Sequence, residues 1–389
     1  MGAFCVRESH VKIAPFKVES WMNAWETGAR YNIAETCVDS VSLDELCALT
    51  GENKEAFLRT LCARRLTYGY IEGNPRFREG VCSLYQSLKV EDIVPTHGAS
   101  GANHHLFYTL VEPGDEVVVF VPTYQQLYSI PESYGAKVIQ IALEEKDGYH
   151  PNLDKLRKAV GPKTRLICLN NPNNPTGALM DEESLKEIVA LARSVGAWVL
   201  CDEVYRHLTQ NDGYCPSIAD LYEKGISISS MSKVFSLAGI RLGWIATRNR
   251  LLVKDLLSHR DYDLVSCGMI DEEIAALALS HASCLLERNR TLVRTNLTLL
   301  DAWVAQEPHV RYVKPQAGTT ALVFYDLDVP SYELCEEMYR KEGAFVTPGD
   351  CFEIPHSFRI GYASDTNVLV EGLKAMSRYF SWKSEEMKR

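Results

Sequence analysis

The stretch SISSMSKVFSLAGIRLGW, residues 227–244, places a single lysine, Lys233, among small hydroxyl residues and directly before an apolar run. The surrounding apolar side chains are typical of a buried strand and turn: Ile226, Ile228, Met231, Val234, Phe235 and Leu237. A lysine in such surroundings is poorly placed for a surface ion pair. Because removal from water lowers the pKa of an amine, we expect Lys233 to supply the neutral amine that forms a Schiff base with an aldehyde.

Hydroxyl and guanidinium groups accompany this lysine at close spacing. Ser230 and Ser232 shortly precede Lys233, and Arg241 follows eight positions after it. Such donors suit a phosphate monoester, because an arginine binds phosphate oxygens as a fork. A lysine for an aldehyde beside donors for a phosphate indicates pyridoxal 5′-phosphate (PLP). On this stretch alone, a lysine that caps a strand and an arginine in a structural ion pair remain an alternative.

The composition is that of a globular protein with a large core. The chain has 389 residues, 46% of them hydrophobic and 24% charged, which predicts one large domain and a smaller one. A net charge of −10 without a basic block argues against a nucleic acid or an anionic membrane as a partner. The 12 cysteines are scattered without a Cys-x-x-Cys pair, so we expect reduced thiols, no disulfides and no metal site.

We expect no targeting signal at the start of the chain or in its apolar runs. Residues 1–20 mix charges throughout, so we expect no signal peptide. The apolar runs are all too short to span a bilayer. These features predict a cytoplasmic protein.

A glycine-rich turn precedes an apolar helical segment. The turn is Thr96-His-Gly-Ala99-Ser100-Gly-Ala-Asn103, and it follows the short strand 93–95. A helix that begins in such a turn presents free backbone N–H groups and the positive end of its dipole, which predicts a phosphate cradle. The sequence has neither Gly-x-Gly-x-x-Gly nor Gly-Lys-Ser/Thr here, so a dinucleotide site and a Walker-type site are not supported.

Other apolar strands also lead directly into polar residues. The strand 116–121 is followed by Tyr124, and the strand 164–169 by the turn 170–177. In α/β sheets, ligand sites lie at the carboxyl ends of strands. A third apolar strand ends at Asp202, and a buried aspartate must be paired or protonated. A protonated pyridine nitrogen is a partner that explains it.

Helical patterns separate and follow these strands. Residues 182–195 are predicted to form a helix, and Ser42-Leu-Asp-Glu45 is a capping box that opens another. From about residue 246 the pattern changes to amphipathic helices with charged outer faces. The last part of the chain alternates strands with a helix, which is typical of a small α+β domain.

Taken in order, these segments resemble fold-type I PLP-dependent enzymes, the aspartate-aminotransferase-like family of class I and II aminotransferases. The resemblance extends from Tyr68 to Arg359. Its most specific element is the Asn-Pro-Thr-Gly turn at 174–177, and the order and spacing of Asp202 and Lys233 agree with it.

The resemblance implies a role for individual residues. The implied catalytic residues are Lys233, which would hold PLP as a Schiff base and move the proton, with Asp202 on the ring nitrogen and Tyr205 on O3′. The other implied cofactor contacts are Ala99 and Ser100 at the phosphate, Tyr124 stacked on the ring, Asn174 at O3′, and Ser230, Ser232, Arg241 and Tyr68. The implied substrate contacts are Arg359, which would bind the α-carboxylate, and Asn174, which together with Arg359 would clamp the bound substrate.

Two segments leave alternatives open. By spacing, Tyr68 matches the tyrosine that reaches the cofactor phosphate of the neighbouring subunit, which implies a homodimer with shared active sites. Tyr70 is a rival for that role, and two tyrosines that pack a turn are a further alternative. Ala34-Glu35-Thr36 stands where the family has a glycine-containing turn beside the substrate carboxylate, so Ala34 is the matching contact and this departure leaves its role open.

The implied fold is α/β, of the PLP-dependent transferase type. A large PLP-binding domain, residues 46–270, would hold a mostly parallel seven-stranded sheet flanked by helices. Residues 1–45 and 271–389 would form the small α+β domain.

The implied activity is an aminotransferase that moves an amino group between an L-amino acid and a 2-oxo acid. The same residues would also serve a β-eliminating or β-replacing lyase, similar to cysteine-conjugate lyases or to amino-acid cyclising enzymes. A non-catalytic PLP-binding regulator is a third hypothesis. The sequence does not identify the substrate side chain.

Overall fold

A computed structural model of the chain describes residues 13–211, 213 and 215–388. The α-helices are α1 (Lys17–Trp25), α2 (Leu43–Thr50), α3 (Lys54–Ala63), α4 (Pro75–Cys82), α5 (Gly98–Leu110), α6 (Gln126–Ser133), α7 (Leu153–Ala159), α8 (Glu182–Val195), α9 (Ile218–Leu221), α10 (Arg250–Arg260), α11 (Met269–Ser280), α12 (Ala282–Gln306), α13 (Ser331–Glu342) and α14 (Thr366–Met387). The strands are β1 (Tyr31–Asn32), β2 (Ile93–Thr96), β3 (Glu116–Val121), β4 (Lys137–Ala142), β5 (Thr164–Asn170), β6 (Trp198–Asp202), β7 (Gly225–Ser230), β8 (Gly243–Ala246), β9 (Val310–Tyr312), β10 (Thr320–Tyr325), β11 (Ala344–Phe345), β12 (Thr347–Pro348) and β13 (Ser357–Gly361). Short 3-10 turns lie at Glu26–Gly28, Val90–Asp92, Glu145–Asp147, Ala238–Ile240 and Gly349–Phe352.

The large sheet has seven strands in the order β2-β8-β7-β6-β5-β3-β4. The neighbours from β4 through β3, β5 and β6 to β7 are all parallel. Strand β8 is antiparallel to both of its neighbours, β7 and β2. The predicted α/β fold with a mostly parallel seven-stranded sheet is therefore confirmed.

Helices cover both faces of this sheet, because successive residues of a buried strand point to opposite sides. In β3, Val117 and Val119 belong to a core shared with α5, α6 and α10. The intervening Val118 and Phe120 belong to a second core shared with α7, α8 and α9. The continuous apolar run of β3 therefore reflects burial on two faces at once.

The N-terminal segment packs on the C-terminal part of the chain. Strands β9, β10, β12 and β13 form an antiparallel sheet, and β1 pairs in parallel with β11. In α1, Trp21 donates a hydrogen bond from Nε1 to the Val346 carbonyl at 2.9 Å. This packing is compatible with a small domain built from both ends of the chain, although the boundaries at residues 45 and 270 stay predictions.

The parallel strands place their following residues at one edge of the sheet. Strands β3, β5, β6 and β7 run in the same direction, so their carboxyl ends meet at that edge. The polar groups at the ends of these strands, among them Asp202 and Ser230, are thereby brought close to one another.

Three further features concern the described residues alone. Among them, no helix is long and apolar enough to cross a bilayer. The cysteines within this part of the chain are all free. No group of three or more His, Cys, Asp or Glu side chains within it is arranged to hold a metal ion.

Gly243→Ala should disturb the contact between β8 and the start of α5. An added Cβ atom would lie 2.5 Å from the carbonyl carbon of Gly98 and 2.8 Å from the backbone nitrogen of Ala99. Both are backbone atoms, so the strand and the helix terminus must separate. We expect the free energy of unfolding to fall by about 1–3 kcal/mol in urea titrations.

Gly239→Ala is the matched control. Apart from neighbouring residues of its own turn, no described atom lies within 4 Å of an added Cβ at this exposed position, which lies two residues before Arg241 in the chain. An equal loss of stability in both variants would contradict the close contact as the cause.

Candidate active site

One cavity of about 490 Å³ brings the predicted site residues together. It is lined by every one of them except Tyr68: Ala34, Ala99, Ser100, Tyr124, Asn174, Asp202, Tyr205, Ser230, Ser232, Lys233, Arg241 and Arg359. It is also lined by residues to which the sequence analysis gave no role, among them Glu19, Glu26, Glu35, Thr36, Cys37 and Asn103.

Backbone N–H groups and a guanidinium converge where α5 begins. Gly98 opens the helix with φ +66°, and the residue before it, His97, makes no side-chain hydrogen bond that would cap the helix. The Nη1 atom of Arg241 donates to a neighbouring carbonyl at 3.0 Å, and its Nη2 atom lies 3.0 Å from where a Cβ on Gly98 would stand. With the hydroxyls of Ser230 and Ser232, this donor set fits a phosphate group.

Asp202 is buried at the end of β6, with 4% of its surface exposed. Its carboxylate accepts hydrogen bonds from Asn103 Nδ2 at 3.2 Å and from the Val204 N–H at 3.3 Å. Burial raises the pKa of this carboxyl to about 6, although both donors act in the opposite direction. A cationic partner such as a protonated ring nitrogen would stabilise the ionised form.

Lys233 follows β7 and points its amino group at a turn near the N-terminus. Its Nζ atom donates to Thr36 Oγ1 at 2.7 Å and to Cys37 Sγ at 3.3 Å, and lies 4.0 Å from Glu35 Oε1. Burial acts to lower the pKa of the amine, but Cys37, Tyr205 and Glu35 together outweigh it and raise the pKa. Desolvation therefore acts on Lys233 in the expected direction, but the net pKa of the amine is raised and not lowered.

Arg359 lies in β13 with 3% of its surface exposed. Its Nη1 atom donates to Asn174 Oδ1 at 3.2 Å, and its Nη2 atom donates to the Ala34 carbonyl at 2.9 Å and to Thr347 Oγ1 at 3.1 Å. Its buried Nε atom has no hydrogen-bond partner in the part of the chain that the structure describes. A buried guanidinium with an unpaired donor fits a carboxylate ligand.

Asn174 and Tyr205 both offer hydrogen-bond donors to the cavity. The backbone N–H of Asn174 donates to Asn170 Oδ1 at 2.7 Å, which fixes the turn. Because Asn174 Oδ1 accepts from Arg359, its amide nitrogen is the group left to donate. Tyr205 is buried, and burial raises the pKa of its phenol, so the phenol keeps its proton at neutral pH.

The turn at residues 34–37 forms the cavity wall beside Lys233. Ala34 takes part through its backbone carbonyl, while Glu35 Oε1 accepts from the N–H groups of Thr36 at 2.7 Å and Cys37 at 2.9 Å. Burial opposes ionisation of Glu35, but Lys233 and these N–H groups hold the pKa of its carboxyl below the usual range. In the sequence, this turn could be recognised only as a departure from the family pattern.

Two aromatic residues have different positions relative to the cavity. Tyr124 lines it, and its hydroxyl donates to Glu19 Oε1 at 2.7 Å. Tyr68 is 71% exposed and does not line it, and Tyr70 is 51% exposed. The predicted contact of Tyr68 with the phosphate of a neighbouring subunit stays a prediction.

The groups of the cavity are complementary to separate parts of PLP. The start of α5 and Arg241 fit its phosphate, Asp202 fits its ring nitrogen, and Lys233 fits its aldehyde. With a mostly parallel seven-stranded sheet beneath them, they define a PLP-dependent enzyme of fold type I.

Comparison with known proteins leads to the same class. The family described as aminotransferase class I and II matches residues 44–375, so the chain belongs to that family, whose members depend on PLP. A crystal structure of a PLP-dependent aminotransferase from Streptococcus suis is similar, with a TM-score of 0.93 and 43% identity over 95% of this chain and 98% of that one.

Two curated relatives are similar in sequence over most of the chain. Capreomycidine synthase of Streptomyces vinaceus is 30% identical over 363 residues, 92% of each chain. An aspartate aminotransferase of Pyrococcus horikoshii is 27% identical over 343 residues, 84% of this chain and 86% of that one. The similarity therefore includes proteins with different named activities.

Asp202→Asn should flatten the pH dependence of stability in the cofactor-free protein. Burial raises the pKa of Asp202 from 3.8 to about 6, so its contribution to stability is fully present below about pH 4. That contribution is lost as the pH rises through about 6, and it amounts to roughly 3 kcal/mol. The amide of the introduced asparagine does not titrate. If the Asn103 side-chain amide rotates by 180°, its Oδ1 atom, which has no partner among the described residues, can accept a hydrogen bond from the new asparagine.

Urea unfolding between pH 4 and pH 8 measures this effect. Glu183→Gln on α8 is the control, because Glu183 is an exposed carboxylate remote from the cavity lining. If the free energy of unfolding changed with pH equally in Asp202→Asn and in the wild type, Asp202 would not titrate with the pKa that its burial predicts.

Proposed function

We propose that the protein is an aminotransferase that moves an amino group between an L-amino acid and a 2-oxo acid. The observation that carries the proposal is that Lys233, Asp202 and Arg359 line one cavity. They supply an amine for the aldehyde, a carboxyl for the ring nitrogen and a guanidinium for the α-carboxylate. The 43% identity to the Streptococcus suis aminotransferase supports the same activity.

Each group has a task in that reaction. PLP supplies the electron sink that stabilises negative charge at the substrate Cα. Asp202 keeps the ring nitrogen protonated, and Arg359 binds the α-carboxylate and so orients the Cα–H bond. Lys233 Nζ would hold the aldehyde of the cofactor and, when an amino acid takes its place there, would serve as the base that removes the proton from the substrate Cα.

Neighbouring side chains orient these groups. Thr36 Oγ1 lies 2.7 Å from Lys233 Nζ and limits the directions in which the amine can point. The Tyr205 phenol and the Asn174 amide would donate to the cofactor oxygen O3′. Tyr124, held by its hydrogen bond to Glu19, would cover one face of the ring.

The test is a single-turnover assay with the holoenzyme and an amino acid but no oxo acid. We expect release of one 2-oxo acid per active site and conversion of the bound cofactor to pyridoxamine phosphate. The absorption spectrum of the cofactor monitors this conversion. Lys233→Arg keeps the positive charge but removes the amine that binds the aldehyde and moves the proton. Multiple turnovers by that variant would contradict the role of Lys233.

A second candidate function is elimination at Cβ followed by ring closure. The 30% identity to capreomycidine synthase favours it, as does the Glu35 carboxylate beside Lys233, a second group able to move a proton. In a cyclisation, the Cβ leaving group departs with a proton and a side-chain nitrogen forms a bond to Cβ, so the α-amino group stays on the product. The same assay would then give a cyclic amino acid, whereas simple elimination would give ammonia and an oxo acid continuously.

We also propose that the enzyme is a homodimer with shared active sites. The segment 66–71 exposes Leu66, Tyr68, Tyr70 and Ile71, with between 47% and 77% of their surfaces accessible. Contiguous exposed apolar groups of this kind are typical of an interface. The Ser266 hydroxyl donates to the Tyr68 carbonyl at 2.9 Å, which ties this segment to a loop where Tyr262 is also exposed.

Tyr68→Phe should weaken PLP binding by roughly tenfold, because it removes one hydrogen bond to a charged phosphate. Tyr70→Phe, with the same chemical change two residues away, is the matched control. Fluorescence titration with PLP measures the affinity, and sedimentation reports the oligomeric state. Weaker binding in Tyr70→Phe alone would assign the role to Tyr70, and unchanged binding in both would contradict a shared site.

A further inference from the structure

Three carboxylates line one side of the candidate active site. Glu19 lies in α1, Glu26 in the 3-10 turn that follows, and Glu35 in the turn at residues 34–37. In the part of the chain that the structure describes, they accept hydrogen bonds from neutral groups: Tyr124 OH donates to Glu19, Asn32 Nδ2 to Glu26, and backbone N–H groups to Glu35. A wall of this composition carries an excess of negative charge.

Within residues 13–211, 213 and 215–388, few cations lie close enough to pair with this wall. Among the described residues, Lys233 is the one lysine or arginine within ion-pair distance of Glu35, and neither Glu19 nor Glu26 has any. Lys233 is committed to the cofactor aldehyde. Burial and the nearby charges of Glu35 and Glu19 raise the pKa of Glu26, although the Asn32 amide opposes them.

The cationic groups at the other ends of the cavity each fit a different anion. The described residues that line it include three cations, Lys233, Arg241 and Arg359. Arg241 fits the phosphate, and Arg359, with its buried and unpaired Nε atom, fits the α-carboxylate. An amino acid held by Arg359 and joined to the cofactor has its side chain left to occupy the remaining, acidic part of the cavity.

We propose that the substrate is an L-amino acid whose side chain ends in a cation, a guanidinium or an ammonium group. This inference rests on the proposed function, because it uses the same cavity and the same anchor for the α-carboxylate. The cation would pair with Glu35 and Glu26, and charged hydrogen bonds of this kind are the strong ones. An acidic side chain would meet like charges and be excluded.

Arginine and citrulline are the matched substrates for the test, because they differ in charge but hardly in shape. Lysine and norleucine form a second pair, and glutamate is the acidic probe. Absorption of the bound cofactor during titration gives the dissociation constant of each amino acid, independently of turnover. We expect the cationic member of at least one pair to bind at least roughly tenfold more tightly than its neutral partner.

Glu35→Gln and Glu26→Gln should each reduce that preference several-fold. Glutamine at position 35 can still accept from the N–H groups of Thr36 and Cys37, so the turn is expected to keep its shape. The readout is the ratio of affinities within a pair, because any general effect on Lys233 acts on both members alike. Glu183→Gln, which changes the net charge equally, should leave the ratio unchanged.

The outcomes separate this inference from the proposed activity. Equal or tighter binding of neutral or acidic amino acids, or no binding of any cationic one, would overturn the cationic substrate whether or not an oxo acid is formed. A preference unaffected by both Glu→Gln changes would overturn the assignment of the acidic wall. The third outcome is that the protein binds cationic amino acids more tightly, that the Glu→Gln changes reduce this preference, and that no oxo acid is formed. This outcome would support the substrate class and contradict the proposed aminotransferase activity.

Discussion

The candidate site depends on how the turn at residues 34–37 is held against the end of β7. The Val38 N–H donates to the Lys233 carbonyl at 3.2 Å, and the Lys233 amine returns a hydrogen bond to Thr36 Oγ1. From the other side, Thr319 Oγ1 donates to the Thr36 carbonyl at 2.7 Å. A short N-terminal segment is thereby fixed between the central sheet and the C-terminal sheet, and each active-site group takes its position from one of these parts.

Close backbone approach makes this arrangement rigid. The Gly361 N–H donates to the Ile33 carbonyl at 2.8 Å, and a Cβ at Gly361 would collide with the carbonyl of Glu35. The carbonyl of Ala34, one residue earlier, accepts from Arg359. The glycine at the end of β13 therefore allows the turn at residues 34–37 to pack directly against this strand. The same strand carries Arg359, the group that fits the α-carboxylate.

The sequence was sufficient to predict the residues that follow buried strands. Strand β3 and helix α8 have the bounds that their apolar patterns predict, and the capping box at Ser42 is formed. Asp202 could be found because an acidic residue at the end of an apolar strand needs a partner. Contacts between distant parts of the chain could not be found in this way, since Thr36 and Lys233 are 197 positions apart. The pKa of Lys233 was predicted in the wrong direction for the same reason: burial is visible in the local pattern, but Glu35 and Cys37 are not.

Charge separation across the cavity follows from the same geometry. Two cations lie at separate ends of the cavity, Arg241 beside the first residue of α5 and Arg359 in β13, and each fits an anion. Glu19, Glu26 and Glu35 belong to the N-terminal segment, which forms the remaining side of the cavity. Burying Arg359 with an unpaired donor and Asp202 with a raised pKa costs stability in the cofactor-free chain. A bound carboxylate and a protonated ring nitrogen would reduce both costs, so the groups whose burial costs stability would also determine which ligand the cavity accepts and in which orientation.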